Sequence, residues 1–211
     1  MNKPIVIGLC GRSGSGKGYV CQKFEQYGIP SVDTDAVYRD MTSASLELSP
    51  CMQELQAAFG DGIVCPDHSL NRSVMAKIVF GSDGAAARNT LNRITHKHIL
   101  NKVSEKIDCY AMQGYSCVIV DAPLLFESGF DKLCRFTVCV TASDETSVRR
   151  IVRRDGISET DARRRLLTQI PAKELIARCD FHILNEMGAD TLDGQIAQVI
   201  ASMREKAGES R

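Results

Sequence analysis

Residues 4–22 read Pro4-Ile5-Val6-Ile7-Gly8-Leu9-Cys10-Gly11-Arg12-Ser13-Gly14-Ser15-Gly16-Lys17-Gly18-Tyr19-Val20-Cys21-Gln22. Ile5 to Leu9 is a short apolar run with β-branched residues and no charge, the pattern of a buried strand. Gly11, Gly14 and Gly16 then punctuate a turn that ends on Lys17, and Tyr19-Val20-x-x-x-Phe24 opens a helix. Strand, glycine-rich turn and helix carry the spacing G-x-x-x-x-G-K of a phosphate-binding loop. Glycines let the backbone curl with its N–H groups inward and come close to a phosphate. The helix start adds unpaired donors and partial positive charge, and the lysine supplies a point charge for the outer phosphates. An ordinary glycine turn between a strand and a helix is the competing explanation, and the strand–loop–helix context favours nucleotide binding over it. The position after the lysine, where a hydroxyl ordinarily holds Mg²⁺, is Gly18.

The rest of the composition narrows the class. A chain of 211 residues can bury a real core, and its 26 basic and 26 acidic residues cancel, so no global charge draws it to nucleic acid. No apolar run approaches the roughly 18 residues of a membrane span, and the N-terminus does not read as a signal peptide. The nine cysteines are odd in number and scattered, with no C-x-x-C pair and no zinc spacing. They read as reduced, structural thiols of a cytoplasmic protein.

Farther along, Ser31-Val32 forms a short strand ending in Asp33-Thr34-Asp35. Ligands of open α/β sheets bind beyond the carboxyl ends of strands, so both aspartates are expected on the same crevice as the loop. One of them can instead cap the next helix; Asp33 is given the supporting role and Asp35 the chemical one. Residues 36–114 have helical periodicity, too long for a simple crossover, and read as an inserted helical subdomain marked by Arg72, Arg93, His96 and His98. A lone histidine on a helix is ordinarily structural or solvated. Ser116 to Asp121 is a strand ending in an acid, the second acidic motif that helps hold Mg²⁺. Strands over 136–140 and 180–184 complete five.

Between these last two strands, seven of the 26 basic residues fall within positions 149–165. A solvated helix face explains some of them. RNA binding is disfavoured because no aromatic residues are interleaved for stacking. An arginine-rich helix pair closing over a nucleotide fits best, with Ser158-x-x-Asp161 capping its second helix. Residues 190–206 read as a final amphipathic helix, and the last few residues as a frayed end.

The ordered motifs resemble dephospho-coenzyme A kinases over nearly the whole chain. The resemblance rests on Ile7 to Gly11 leading into Gly14-Ser15-Gly16-Lys17, on Val32-Asp33-Thr34-Asp35, Phe59-Gly60, Leu70-Asn71-Arg72 and Ile94-Thr95-His96-Lys97-His98-Ile99. Pro123-Leu124-Leu125-Phe126-Glu127, Arg150, Arg154-Asp155, Gln169 and Ile183-Leu184-Asn185-Glu186-Met187-Gly188 complete it. It implies an α/β fold of the P-loop NTPase type, three-layered, with a five-stranded parallel sheet. It further implies one kinase domain made of a core (about 1–35, 115–148 and 179–206), a helical insertion for the CoA substrate (about 36–114) and a helical lid (about 149–178). The implied reaction is ATP-dependent phosphorylation of the ribose 3′-hydroxyl of dephospho-CoA with Mg²⁺, in a monomer or weak homo-oligomer with no nucleic-acid or membrane partner.

Carried over by residue, Asp35 is the catalytic base and, with Asp121, a metal site. Lys17 and the loop from Gly11 through Arg12, Ser13, Gly14, Ser15, Gly16, Gly18 and Tyr19 bind the nucleotide, with Asn185 on the adenine side. Arg150 and Arg154 approach the transferred phosphate. Asp33, Arg72, His96, Leu124, Leu125 and Glu127 surround the acceptor.

Five departures stand out. Cys10, Arg12 and Ser13 replace the threonine, second glycine and isoleucine usual in the family, Gly18 replaces the Mg²⁺-binding hydroxyl, and Lys97 follows His96 where proline is usual. Since Mg²⁺ keeps several waters, the loss of one ligand predicts weaker Mg²⁺ binding or slower turnover, with Arg12 expected to add a cation at the phosphates. Another small-molecule P-loop kinase and a catalytically impaired nucleotide-binding module are the competing functions.

Overall fold

The computed structural model describes residues 3–81, 84–186 and 189–208. Met187 and Gly188 of the late motif, and Glu209 to Arg211 of the expected frayed end, lie outside them. The chain divides into two compact units, 1–32 with 110–211, and 33–109.

In the first unit the strands are β1 (Ile5–Cys10), β2 (Ser31–Asp33, whose last residue opens the second unit), β3 (Cys117–Asp121), β4 (Phe136–Thr141) and β5 (Phe181–Leu184). They form one five-stranded parallel sheet in the order β2-β3-β1-β4-β5. β1 is central, in parallel register with β3 (Ile5 opposite Cys117) and with β4 (Ile7 opposite Phe136). Strands covered on both faces cannot alternate polar and apolar residues. All six residues of β4 are buried accordingly.

Two helices cover this core. α1 (Lys17–Gln26) contributes Val20, Cys21 and Phe24, and α9 (Ala189–Ala207) contributes Leu192, Ile196, Val199, Ile200 and Met203, all packed with Ile7, Leu9, Ile119 and Val138. The helical spacing of the tail puts one apolar stripe on the sheet.

Between β4 and β5 run α6 (Asp144–Asp155), α7 (Glu159–Leu167) and α8 (Ala172–Arg178). α6 and α7 share a small core of their own, Val148, Ile151, Ala162 and Leu166. Serines cap both: the Ser143 hydroxyl accepts from Thr146 N and the Ser158 hydroxyl from Asp161 N (3.1 Å), as the S-x-x-D pattern predicts.

The second unit is helical, with α2 (Thr34–Met41), α3 (Pro50–Phe59), α4 (Arg72–Val79) and α5 (Gly84–Met112), the last running into the first unit. Its core gathers Cys51, Met52, Leu55, Ile63, Leu70, Met75, Val79 and Ile94. Ser49 and Asn71 cap α3 and α4.

Candidate active site

The loop after β1 is shaped by what packs behind it. Gly14 and Gly16 have φ of 76° and 87°, and a Cβ on either would run into the Ser147 backbone or the Asn185 amide. A side chain at either position would therefore force the loop open. Asn185, 6% exposed, donates from Nδ2 to the Ser15 carbonyl (2.9 Å). Half-buried Arg150 donates to the Gly14 and Ser15 carbonyls (3.3 Å each) and to the Asn185 carbonyl (3.0 Å). The Gly14 and Ser15 carbonyls are thus engaged by donors from behind the loop. Gly16 is the N-cap of α1 and provides no side-chain cap; Tyr19 N and Val20 N donate to its carbonyl (3.1 and 3.2 Å), which leaves the Lys17 and Gly18 N–H groups of the first turn for an anion.

Lys17 Nζ lies 3.9 Å from Asp121 Oδ1 at the end of β3, both side chains largely buried. A lysine and a carboxylate beside uncapped helix donors fit a nucleotide phosphate chain and a hard, oxygen-seeking divalent cation. Gly18 is exposed with nothing within 4 Å of a Cβ placed on it, so no packing constraint accounts for the missing hydroxyl. Tyr19, 43% exposed, carries the Lys23 ammonium 5.6 Å from its ring centroid.

The helix pair reaches the same loop. Arg12 Nη1 donates to Asp144 Oδ1 (2.7 Å) and Nη2 to the Leu166 carbonyl (2.8 Å). The cation expected at the phosphates is therefore occupied by α6 and the last turn of α7, whose carbonyls carry partial negative charge. Ser13 N donates to Gln169 Oε1 (3.0 Å). Arg154 Nη2 lies 3.5 Å from the Ser13 hydroxyl, while its Nε and Nη2 donate to Asp155 (2.7 and 3.0 Å). Asp155 also accepts from Arg165. Arg154, and then Arg165, hold the Asp155 carboxyl down to about 2. Ser143 N donates to Glu186, tying the start of α6 to the end of β5.

After β3 the chain turns through Pro123 to Glu127. Leu124 is 52% exposed and Glu127 is exposed, whereas Leu125 is fully buried over Gly8 and beside Cys134, and presents no surface to a ligand. Arg178 stacks on Phe126 at 4.2 Å.

In the second unit, Asp33 is the cap of α2. Its Oδ1 accepts from Asp35 N (2.8 Å) and Ala36 N (3.0 Å), and Oδ2 lies 3.6 Å from Arg39. Its carboxylate therefore supports the helix, and the exposed Asp35 is carried in the first turn. Arg72 lies 5.7 Å from the Tyr38 ring centroid and 3.4 Å from the Thr42 hydroxyl. Burial lowers the His96 imidazole below its ordinary value. His98 instead joins Lys97 on Glu54 (2.8 and 2.7 Å).

The sequence reading missed Asp144, Asp155 and Glu186 as partners of this arrangement. Only the Arg154-Asp155 neighbourhood offered a local signal, and the other two contacts join residues far apart in the chain.

A family model described as dephospho-CoA kinase matches residues 5–191. The chain belongs to the dephospho-CoA kinase family. A dephospho-CoA kinase of Arabidopsis thaliana is 35% identical over 94% of this chain and 84% of its own length. One from Shouchella clausii is 31% identical over 92% and 96%. Among solved structures, TT1252 from Thermus thermophilus superposes with a TM-score of 0.80 at 26% identity, covering 96% of this chain and 98% of that one. The dephospho-CoA kinase from Campylobacter jejuni (TM-score 0.65, 23% identity, 96% and 98% covered) and a shikimate kinase from Acinetobacter baumannii (0.53, 16%, 95% and 95%) share the fold. Membership in the dephospho-CoA kinase family agrees with the P-loop geometry and with the sheet order around β1.

Proposed function

We propose that the protein transfers the γ-phosphoryl group of ATP to the ribose 3′-hydroxyl of dephospho-CoA, giving coenzyme A and ADP. The observation that carries this reading is the loop itself: an uncapped helix start with Lys17 and Asp121 beside it, braced from behind by Arg150 and Asn185. Phosphoryl transfer asks the protein for positioning and charge stabilisation more than for covalent chemistry.

In this reading the first-turn amides of α1 and Lys17 bind the β- and γ-phosphates. Asp121 would hold Mg²⁺, which would neutralise phosphate charge when bound. Arg154 is the lid cation nearest the loop, able to trade Asp155 for a phosphate oxygen. Arg150 and Asn185 act as positioning groups that fix the loop. Arg12 and Gln169 hold the α6–α8 lid to the loop, which excludes water. Asp35 receives or orients the proton of the acceptor hydroxyl. Arg72, His96, Leu124 and Glu127 are assigned to the acceptor, and the unit 33–109 to its binding. The chain works as a cytoplasmic enzyme on a small molecule.

The test is ADP release from purified protein with ATP, Mg²⁺ and dephospho-CoA. Turnover should require dephospho-CoA and fall about 10²–10⁴-fold in Asp35→Asn. ATP binding without turnover at any Mg²⁺ concentration would replace this reading with a nucleotide-binding module. Turnover on another alcohol at a higher kcat/KM would replace the acceptor.

A further inference from the structure

Three cysteines that look unrelated in sequence meet at the end of β1. Cys10 is its last residue and pairs in register with Cys139 of β4. Directly opposed residues of neighbouring strands point to one face, so these two thiols lie side by side. Cys179, between α8 and β5, brings a third: its Sγ is 3.5 Å from Cys10 Sγ, and all three sulfurs lie within 4.8 Å of one another.

We propose that Cys10, Cys139 and Cys179 form a binding site for one thiophilic d¹⁰ metal ion, Zn²⁺ or Cu⁺, held by three sulfurs behind the phosphate loop.

A metal–sulfur bond of about 2.3 Å sets the sulfurs of a three-thiolate site roughly 4 Å apart, close to the spacing already present. Soft sulfur ligands select such ions and reject Mg²⁺, so this site is separate from the nucleotide's cation in both place and chemistry. Cys10 and Cys139 are fully buried, while Cys179 is only partly covered and supplies the way in. Thiols shed their protons as a metal enters. Because Cys10 precedes Gly11, an ion here would fix the strand end from which the loop springs.

The test uses the full chain, reduced, stripped with chelator and kept under argon, titrated with Zn²⁺ or with Cu⁺ against a chromophoric competitor. The expected result is one ion of either or both kinds per chain. Cys179→Ser should weaken binding at least about 10- to 100-fold, and Cys109→Ser, which removes an exposed thiol, should leave it unchanged. Cys179 sits in a partly exposed turn, and a circular dichroism spectrum checks that its variant is folded. In the wild-type protein the bound ion should also slow alkylation of Cys179, read by mass spectrometry. Absence of stoichiometric binding at micromolar concentration would overturn the proposal, as would equal binding by Cys179→Ser. A Cys10–Cys179 disulfide in the isolated protein with no metal would overturn it too.

Discussion

The phosphate loop and the α6–α7 helix pair are both built for anions, but they hold their charge in different ways. In the loop the donors belong to the backbone, and the groups that brace it, Arg150 and Asn185, attach to its carbonyls from behind. The Lys17 and Gly18 amides at the start of α1 need exchange no partner to face a phosphate. In the helix pair Arg154 and Arg165 are committed to Asp155, Arg163 to Glu159 and Arg164 to Asp161, and Asp144 of α6 engages Arg12 of the loop. Each must exchange a partner before it can serve a substrate. A preorganised donor stabilises developing charge without reorganisation, whereas an ion-paired arginine gives up one interaction to gain another.

The contrast is sharpest at Lys17. Lys17→Ala removes the loop cation that lies beside Asp121 and not, like Arg12, on the helix pair, and should lower kcat/KM about 10²–10³-fold, with little change in fold by circular dichroism. A loss of only a few-fold would mean that the backbone amides carry the phosphate charge alone. Arg150→Ala tests the bracing from behind. Misplacing a reactive group by about 1 Å can cost about 10²-fold, so turnover should drop by up to that factor, with a thermal midpoint below that of the wild type. An unchanged midpoint with lost turnover would make Arg150 a ligand of the phosphate and not a brace.

How much of this the sequence carried differs in the same way between the two regions. The strand, loop and helix at 4–22 were legible because a doubly buried parallel strand is continuously apolar and the glycine spacing is local. The cap at Ser158 was legible for the same reason. Arg12 was legible as a cation, but its destination was not, since Asp144 is 132 positions away and only the folded helix pair brings it there. The Leu124–Leu125 pair shows a finer limit: two identical neighbours in a turn part company, one outward and one over Gly8, with no periodicity to tell which. The cysteine cluster was invisible because strand register, and no sequence spacing, assembles it.

Gly18 offers a smaller and cleaner perturbation. Gly18→Ser places a hydroxyl where nothing lies within 4 Å of the new Cβ, so the loop should accept it unchanged. One added oxygen contact of about 1 kcal/mol net corresponds to roughly a fivefold lower Mg²⁺ half-saturation in the ADP-release assay. An unchanged Mg²⁺ curve would show that water already fills that position as well as a hydroxyl does, and the departure from the family pattern would carry no functional weight.

The smallest effect belongs to the helix pair. Asp155→Asn frees Arg154 and Arg165 while leaving the loop untouched, and for a surface pair this should change the ATP KM by only about threefold. If Arg154 serves the phosphate by leaving Asp155, the KM should fall; a rise would mean that Asp155 holds Arg154 in its working place. The pH dependence separates this pair from other groups. A carboxyl lowered from 3.8 to about 2 on folding contributes stability that is complete above 3.8 and is lost only as pH falls toward 2. The difference in thermal midpoint between wild type and Asp155→Asn should therefore stay constant from pH 5 to pH 8. A difference that opens or closes inside that window would place the titrating group elsewhere, and the arginines of the pair would then answer to an acid other than Asp155.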